Sequence, residues 1–177
     1  MAEAFNDKVL TGGKAQRYAQ VAEEIAAVLA GEPNRTARMA TVVAMLAATF
    51  DHYFWTGFYL VDPERPRELV VGPYQGTLGC LRIAFGRGVC GTAAETERVQ
   101  LVADVHAFPG HIACDSRSAS EIVVPVFDAA GRLIGVFDVD SETPAAFDET
   151  DAQGLVTILA QVFGAADKAC ASPPAGS

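Results

Sequence analysis

The cysteines, a group of acids and a few aromatic and histidine side chains carry whatever chemistry this chain performs. Cys80 lies in Gly76-Thr-Leu-Gly-Cys80 and Cys114 in His111-Ile-Ala-Cys-Asp115. Both stretches read as polar loops, where a thiol meets solvent, and access together with thiolate character sets thiol reactivity. A single cysteine is often inert filler, but two loop cysteines in one small domain can meet in space. Cys90, in Gly88-Val-Cys-Gly-Thr92, sits where a glycine turn enters a helix. Two readings stay open for it: a pKa lowered by the helix N-terminus, or a small apolar group buried against a sheet. Cys170 falls in the C-terminal tail and takes no role. No two cysteines are spaced C-x-x-C, so neither a zinc ribbon nor a thioredoxin-type motif is present. A structural disulfide framework is not expected in a chain of this size in a reducing compartment.

The acids form a second group. Asp138 and Asp140 are two apart on a strand and so share a face, and Glu121 begins the neighbouring strand. The strand around them is otherwise apolar (Val136, Phe137, Val139), which predicts burial, and buried carboxylates need partners. The bland alternative is a solvated strand face. Carboxylates converging there would bind an ammonium group, repel a phosphate and keep one member protonated near neutral pH. Trp55 and Tyr59 are four apart on one strand, hence on one face, with Phe54 and Phe58 expected on the other. The face with the tryptophan can wall a pocket, since aromatic faces pack well on methyl and sulfur groups. His106 and His111 flank Phe108-Pro-Gly110. With Cys114 and Cys80 they would offer a zinc site in principle, but the spacing matches no tight template, and satisfied loop histidines are the simpler reading.

The elements that must position these groups follow from periodicity. Apolar residues at helical spacing predict a helix over 14–30, stopped by Gly31, and a second from an Asn34 cap to about Phe50. Both are expected to pack on a sheet or on another subunit. Residues 53–61 and 68–72 read as a hairpin around Asp62-Pro63 and Pro66. Residues 72–88 read as a Gly-rich loop with a short strand at 81–83, followed by a short helix over 88–96 and a brief strand over 100–103. Residues 104–120 form a long polar loop, and such loops are usually functional or disordered. Strands over 121–127 and 132–140 join through a turn at 128–131. Asp148 opens a last helix to about Ala166, with Glu149 and Asp151 in its first turn where the macrodipole favours acids. This order predicts one α+β domain over residues 14–168, with a central antiparallel sheet, helices mainly on one side and long loops over a ligand pocket. Residues 1–13 are expected as a flexible arm and 169–177 as a disordered tail.

Composition removes several function classes. The 177 residues are half hydrophobic and one-fifth charged, with 13 Lys+Arg against 22 Asp+Glu and a net charge of −9. A nucleic-acid partner needs a basic face and an anionic membrane surface needs the same, so neither is expected. No stretch approaches the ~20 apolar residues of a membrane helix, and the first residues lack a signal-peptide core. A cytoplasmic location is expected.

Taken together, Trp55-Thr-Gly-Phe-Tyr59, Gly86-Arg-Gly-Val-Cys-Gly-Thr-Ala93, Asp104-Val-His106, Gly110-His-Ile-Ala-Cys-Asp115, Ser120-Glu121-Ile-Val and Gly135-Val-Phe-Asp-Val-Asp-Ser141 resemble the free methionine-(R)-sulfoxide reductases, single-domain proteins with the GAF fold. The resemblance spans roughly residues 15–163. It implies Cys114 as nucleophile, Cys80 as resolving cysteine and Cys90 as an auxiliary thiol. It further implies Glu121, Asp138 and Asp140 as pocket carboxylates and Trp55 with Tyr59 as the aromatic wall. The turn at 128–131 is about one residue longer than the family pattern, and Cys170 has no counterpart. The implied reaction takes free methionine sulfoxide to methionine through a cysteine sulfenic acid, with backbone N–H groups of residues 110–120 holding the substrate carboxylate. An external dithiol such as thioredoxin recycles the disulfide, no cofactor is bound, and a homodimer is expected. Three competing readings are a GAF module that senses a small molecule, a thiol redox switch without turnover and a zinc-binding structural protein.

Overall fold

The computed structural model describes residues 12–110 and 115–164. Residues 1–11 of the arm, the tail with Cys170, and the loop residues His111 and Cys114 lie outside the described residues. Ten regular elements alternate around one sheet: α1 (Lys14–Val28), α2 (Arg35–Thr49), β1 (Trp55–Val61), β2 (Glu68–Gln75), β3 (Arg82–Ala84), α3 (Gly88–Thr96), β4 (Gln100–Val102), β5 (Ser120–Phe127), β6 (Leu133–Ser141) and α4 (Glu149–Phe163). A single 3₁₀ turn, Val105–Ala107, interrupts the long polar loop. The strands run β3-β2-β1-β6-β5-β4, antiparallel throughout.

Most expected elements are present with shifted ends. Asn34 caps α2 as its sequence suggests, its side chain accepting from the Ala37 N–H at 3.0 Å. Helix α4 ends at Phe163 instead of near Ala166, because Gly164 adopts φ +106° and closes the helix in the left-handed conformation open to glycine. Strand β2 runs three residues beyond the expected stop at Gly72. Gly57 pairs with Tyr74 and Tyr59 with Val71, so Gly72 and Pro73 together face Phe58 across a bulge. A bulge tolerates a proline that a regular ladder excludes, and the strand resumes after it.

The sheet separates two apolar layers. Phe58, Ile122 and Phe137 point to the face covered by α1, α2 and α4, where Ile25, Met39, Leu46 and Leu155 complete the main core. Helix α2 lies over β1 and β2, α4 over β5, and α1 packs on α4 and α2. The opposite face carries α3 and a smaller core of Val89, Ala93, Val123 and Val136. Three of the four helices thus share one side, as the element order predicts.

Helix α1 is tied to α4 by polar groups as well as apolar ones. Asp151, fully buried, accepts from Lys14 Nζ at 2.6 Å, from the Tyr18 hydroxyl at 2.9 Å and from the Asp148 N–H at 2.8 Å. The last bond closes a capping box with Asp148. Tyr18 also shares a 2.6 Å hydrogen bond with Tyr53. A buried carboxylate with a full set of donors is stable, and removing it strands those donors. Asp151→Ala is therefore expected to lower unfolding free energy by about 3 kcal/mol, read from urea titration with an unchanged slope. Asp148→Ala, which removes only the exposed half of the cap, is expected to cost about 1 kcal/mol.

Candidate active site

Antiparallel register builds the floor of the site. On β1 and β6 Trp55 pairs with Asp140 and Gly57 with Asp138, and on β5 and β6 Glu121 pairs with Asp140. Residues directly opposite one another point to the same face. Trp55, Asp140 and Glu121 therefore form one row across three strands, on the face away from the three-helix layer, and Asp138 stands in the next row. Gly57, beside Asp138, has no side chain. A Cβ there would come within 2.9 Å of the far edge of the Trp55 ring, so glycine leaves the room in which the indole lies flat. The indole stacks between Tyr59 (centroids 5.6 Å, planes 18° apart) and Tyr74 (5.2 Å, 17°). Its Nε1–H donates to the Thr77 carbonyl at 3.0 Å.

A cavity opens over this floor, lined by Trp55, Tyr59, Glu121, Asp138 and Asp140 from the sheet and by Cys90 from the first turn of α3. All six are among the residues the sequence singles out. Gly79 lines it too, and the backbone of the next residue, Cys80, hydrogen-bonds the Tyr59 hydroxyl. Cys80 is disulfide-bonded and Cys90 is free. His106 is exposed on the 3₁₀ turn.

Crowding the acids changes their protonation. Burial, then the charges of Asp138 and Asp140, push the Glu121 carboxyl well above the ordinary range. Burial and Asp140 do the same to Asp138. Burial also pushes Asp140 up, to about 6, against a hydrogen bond from Ser118 that lowers it. Asp138 Oδ1 is buried with no hydrogen-bond partner among the described residues. Cys90 lies 3.9 Å from Glu121 Oε1, toward which its S–H points. Burial and the neighbouring acids push its pKa up. Cys90 is buried in the smaller core against the sheet, where desolvation and like charge oppose any activation by the helix end. Cys90, Glu121 and Asp138 offer three ligand atoms within 4.8 Å of one another, the one metal-competent group of three among the described residues, and it contains no histidine.

The sequence reading missed part of the wall. Phe54 lies on the pocket side, not with Phe58, because it precedes the first residue of β1 and escapes strand alternation. Its ring is covered by the Arg117 guanidinium at 4.4 Å. Arg117 pairs with Asp115 at 2.9 Å and holds that carboxyl well below the usual range. Asp115 in turn accepts from Thr77 Oγ1 at 2.8 Å. Thr77 and Asp115 are 38 residues apart in sequence, and no local pattern marks their meeting. Through them the loop bearing Cys80 is joined to the loop that follows Cys114.

The match of this arrangement to known proteins is extensive. Residues 34–166 match the GAF domain model. The chain is 48% identical over 152 residues to GAF domain-containing protein A of Dictyostelium discoideum, covering 86% of this chain and 94% of that one. It is 43% identical over 149 residues to the free methionine-R-sulfoxide reductase of Escherichia coli (strain K12), covering 84% and 88%. The structure of the Neisseria meningitidis free methionine-R-sulfoxide reductase in complex with its substrate superimposes with a TM-score of 0.81 at 49% identity, covering 86% of this chain and 89% of that one. With its sheet order, its enclosed acids and these likenesses, the chain belongs to the GAF domain family and, within it, to the free methionine-R-sulfoxide reductases.

Proposed function

We propose that this protein reduces free L-methionine-(R)-sulfoxide to methionine, with Cys114 as nucleophile and Cys80 as resolving thiol. The observation that carries the reading is the row of Trp55, Asp140 and Glu121 on the pocket floor, an apolar wall beside acids of unequal proton affinity. Groups with separated pKa values divide acid and anion roles between them. Near neutral pH Asp140, at about 6, is largely ionised and holds the substrate ammonium. Glu121 and Asp138 retain protons, and one of them donates to the sulfoxide oxygen. Trp55 packs on the S-methyl group. A methionine inside a polypeptide has no free ammonium, which accounts for selectivity toward the free amino acid.

The steps balance without a bound cofactor. The Cys114 thiolate attacks the sulfoxide sulfur as its oxygen gains a proton. Oxygen passes to the cysteine as sulfenic acid, and methionine leaves, reduced by two electrons. The Cys80 thiol condenses with the sulfenic acid, forming a disulfide and releasing water. A thioredoxin-type dithiol then reduces the disulfide by exchange. The disulfide at Cys80 supports this order, since it places that residue in an oxidised pair. Cys90, protonated and buried, supports the proton inventory of the acids and takes no covalent part. The reading includes a homodimer formed through α1 and α2 and a cytoplasmic setting. No helix among the described residues is long and apolar enough to cross a membrane. A sensing GAF module would not need a disulfide beside its pocket.

Offered both epimers of free methionine sulfoxide with a thioredoxin and NADPH-linked recycling, the protein is expected to consume the R epimer alone. Turnover of neither epimer would remove the reading. Cys114→Ser is expected to abolish methionine formation. Cys80→Ser is expected to leave one methionine per active site in a single turnover while stopping thioredoxin-supported cycling.

Asp140 gives a pH test with a definite sign. Burial pushes its carboxyl up to about 6 in the folded state, above the ordinary aspartate range. The folded form therefore holds the proton more tightly, and ligand-free stability falls as pH rises from about 4 to 6 and stays lower above. Asp140→Asn should equal wild type at pH 4 and exceed it by about 1–3 kcal/mol at pH 8, measured by urea unfolding. The same variant should raise KM about tenfold or more and lose the limb near pH 6 in kcat/KM.

A further inference from the structure

Cys90 lines the pocket, yet the reduction assigns it no covalent step. It is also a soft donor set among hard oxygens. Three separate elements bring these groups together. Cys90 is the third residue of α3, Glu121 the second of β5 and Asp138 the sixth of β6, and α3 packs on both strands. A Cβ at Gly91 would lie 2.3 Å from the Ala84 carbonyl oxygen at the end of β3. Glycine there lets the helix start seat against that strand, so the sulfur is placed by backbone, as the two carboxyls are. Cys90, Glu121 and Asp138 thus present one sulfur and two oxygens, all within 4.8 Å of one another. The separation of Cys90 Sγ from Glu121 Oε1 is 3.9 Å. In a tetrahedral zinc site, bonds of about 2.3 Å to sulfur and about 2.0 Å to oxygen set a sulfur–oxygen edge of about 3.5 Å. A contraction of a few tenths of an ångström closes the set on one ion.

A second feature points the same way. Asp138, only 5% exposed, lines the cavity, and its Oδ1 has no hydrogen-bond partner among the described residues. A buried acceptor in that state is short of a donor or a cation. We propose that Cys90, Glu121 and Asp138 form a site for a thiophilic divalent cation, Zn²⁺ by preference, whose fourth position faces the cavity. Calcium and magnesium call for six or more oxygen ligands and are poor matches for a set containing sulfur. Borderline and soft ions accept thiolate together with carboxylate. Binding replaces the protons of the three groups, which pass to solvent, and the ion's own charge favours the thiolate. Once ionised, these two carboxylates and Asp140 beside them far outweigh the roughly half charge of the α3 N-terminus. An ion on the pocket floor is an inhibitor: it takes Glu121 and Asp138 from the sulfoxide oxygen and repels the substrate ammonium. That consequence, though not the site, rests on the reductase reading.

The test uses the full chain with Cys80, Cys114 and Cys170 replaced by serine, so that Cys90 is its one thiol. Cd²⁺ is the probe, because a cadmium–thiolate bond adds an ultraviolet charge-transfer band. One equivalent is expected to bind with that band, and Zn²⁺ to displace it. Asp138→Asn and Glu121→Gln keep the side-chain shape and remove a charged ligand. Each should weaken binding by about 10- to 100-fold, and Mg²⁺ should not compete. Absence of the band, a band indifferent to both substitutions, or displacement by Mg²⁺ as readily as by Zn²⁺ would overturn the site. Where the serine variant does not fold, zinc titrations of wild type and Cys90→Ser are compared by fluorescence of Trp55, the sole tryptophan, which lines the cavity. A saturable change lost in Cys90→Ser supports the site; no change, or one retained in full, overturns it. Methionine sulfoxide, which the serine variant cannot consume, tests the other reading separately. It is expected to weaken apparent Cd²⁺ affinity about tenfold at about ten times its own Kd. Cadmium binding that answers to Asp138 and Glu121 but not to methionine sulfoxide upholds the site and counts against the reductase reading.

Discussion

Three carboxyl groups held on one enclosed sheet face are the constraint around which this molecule is arranged. Glu121, Asp138 and Asp140 are fixed there by backbone register, not by flexible side chains seeking partners. A slip of one residue in either the β1–β6 or the β5–β6 pairing would turn them into the helical core. That core is dense with Phe58, Phe137 and Ile122 on the same strands, and the cost of burying carboxyls among them would be prohibitive. Apolar alternation on one face thus enforces acid placement on the other.

The surroundings of the acids decide what they can do. Burial and the charge of neighbouring acids raise all three, and a hydrogen bond from Ser118 restrains Asp140 alone. Cys90 contributes by remaining a thiol, a weak donor to Glu121 instead of another negative charge. Trp55 fills the remaining side because Gly57 yields space and Tyr74 and Tyr59 sandwich the ring. Each of these neighbours lowers the local dielectric, and a low dielectric strengthens both the repulsion within the cluster and its attraction for a bound cation.

Much of this was legible in the sequence because it follows from local periodicity. The period of two places Asp138 with Asp140 and Trp55 with Tyr59, and the period of three to four marks α1, α2 and α4. What was not legible depends on events at strand ends or between distant loops. Phe54 stands one residue outside β1, where alternation has no force. Strand β2 survives Gly72-Pro73 only because a bulge absorbs them opposite Phe58. The link from Trp55 through Thr77 and Asp115 to Arg117 joins loops with no shared pattern. Cys90 sat at a helix start in both the sequence and the structure, yet its environment was set by acids from two strands, which spacing alone does not reveal.

Two kinds of buried acid in one domain separate structure from function. Asp151 is fully buried, but it receives Lys14, Tyr18 and the Asp148 backbone. Its charge is met within the protein and its effect is to join α1 to α4. Asp138 is nearly as buried, yet one of its oxygens meets no hydrogen-bond partner among the described residues, and around it stand two more acids and a thiol. A native structure seldom leaves a buried acceptor unmatched without a reason. Selection for stability alone would replace Asp138 with an apolar residue of similar size, as buried polar groups without partners only subtract from stability. Its retention is understandable if the missing donor arrives with a ligand. The helical layer, with its satisfied Asp151 network and continuous apolar core, then carries the stability that lets the opposite face of the same sheet remain incomplete until the pocket is filled.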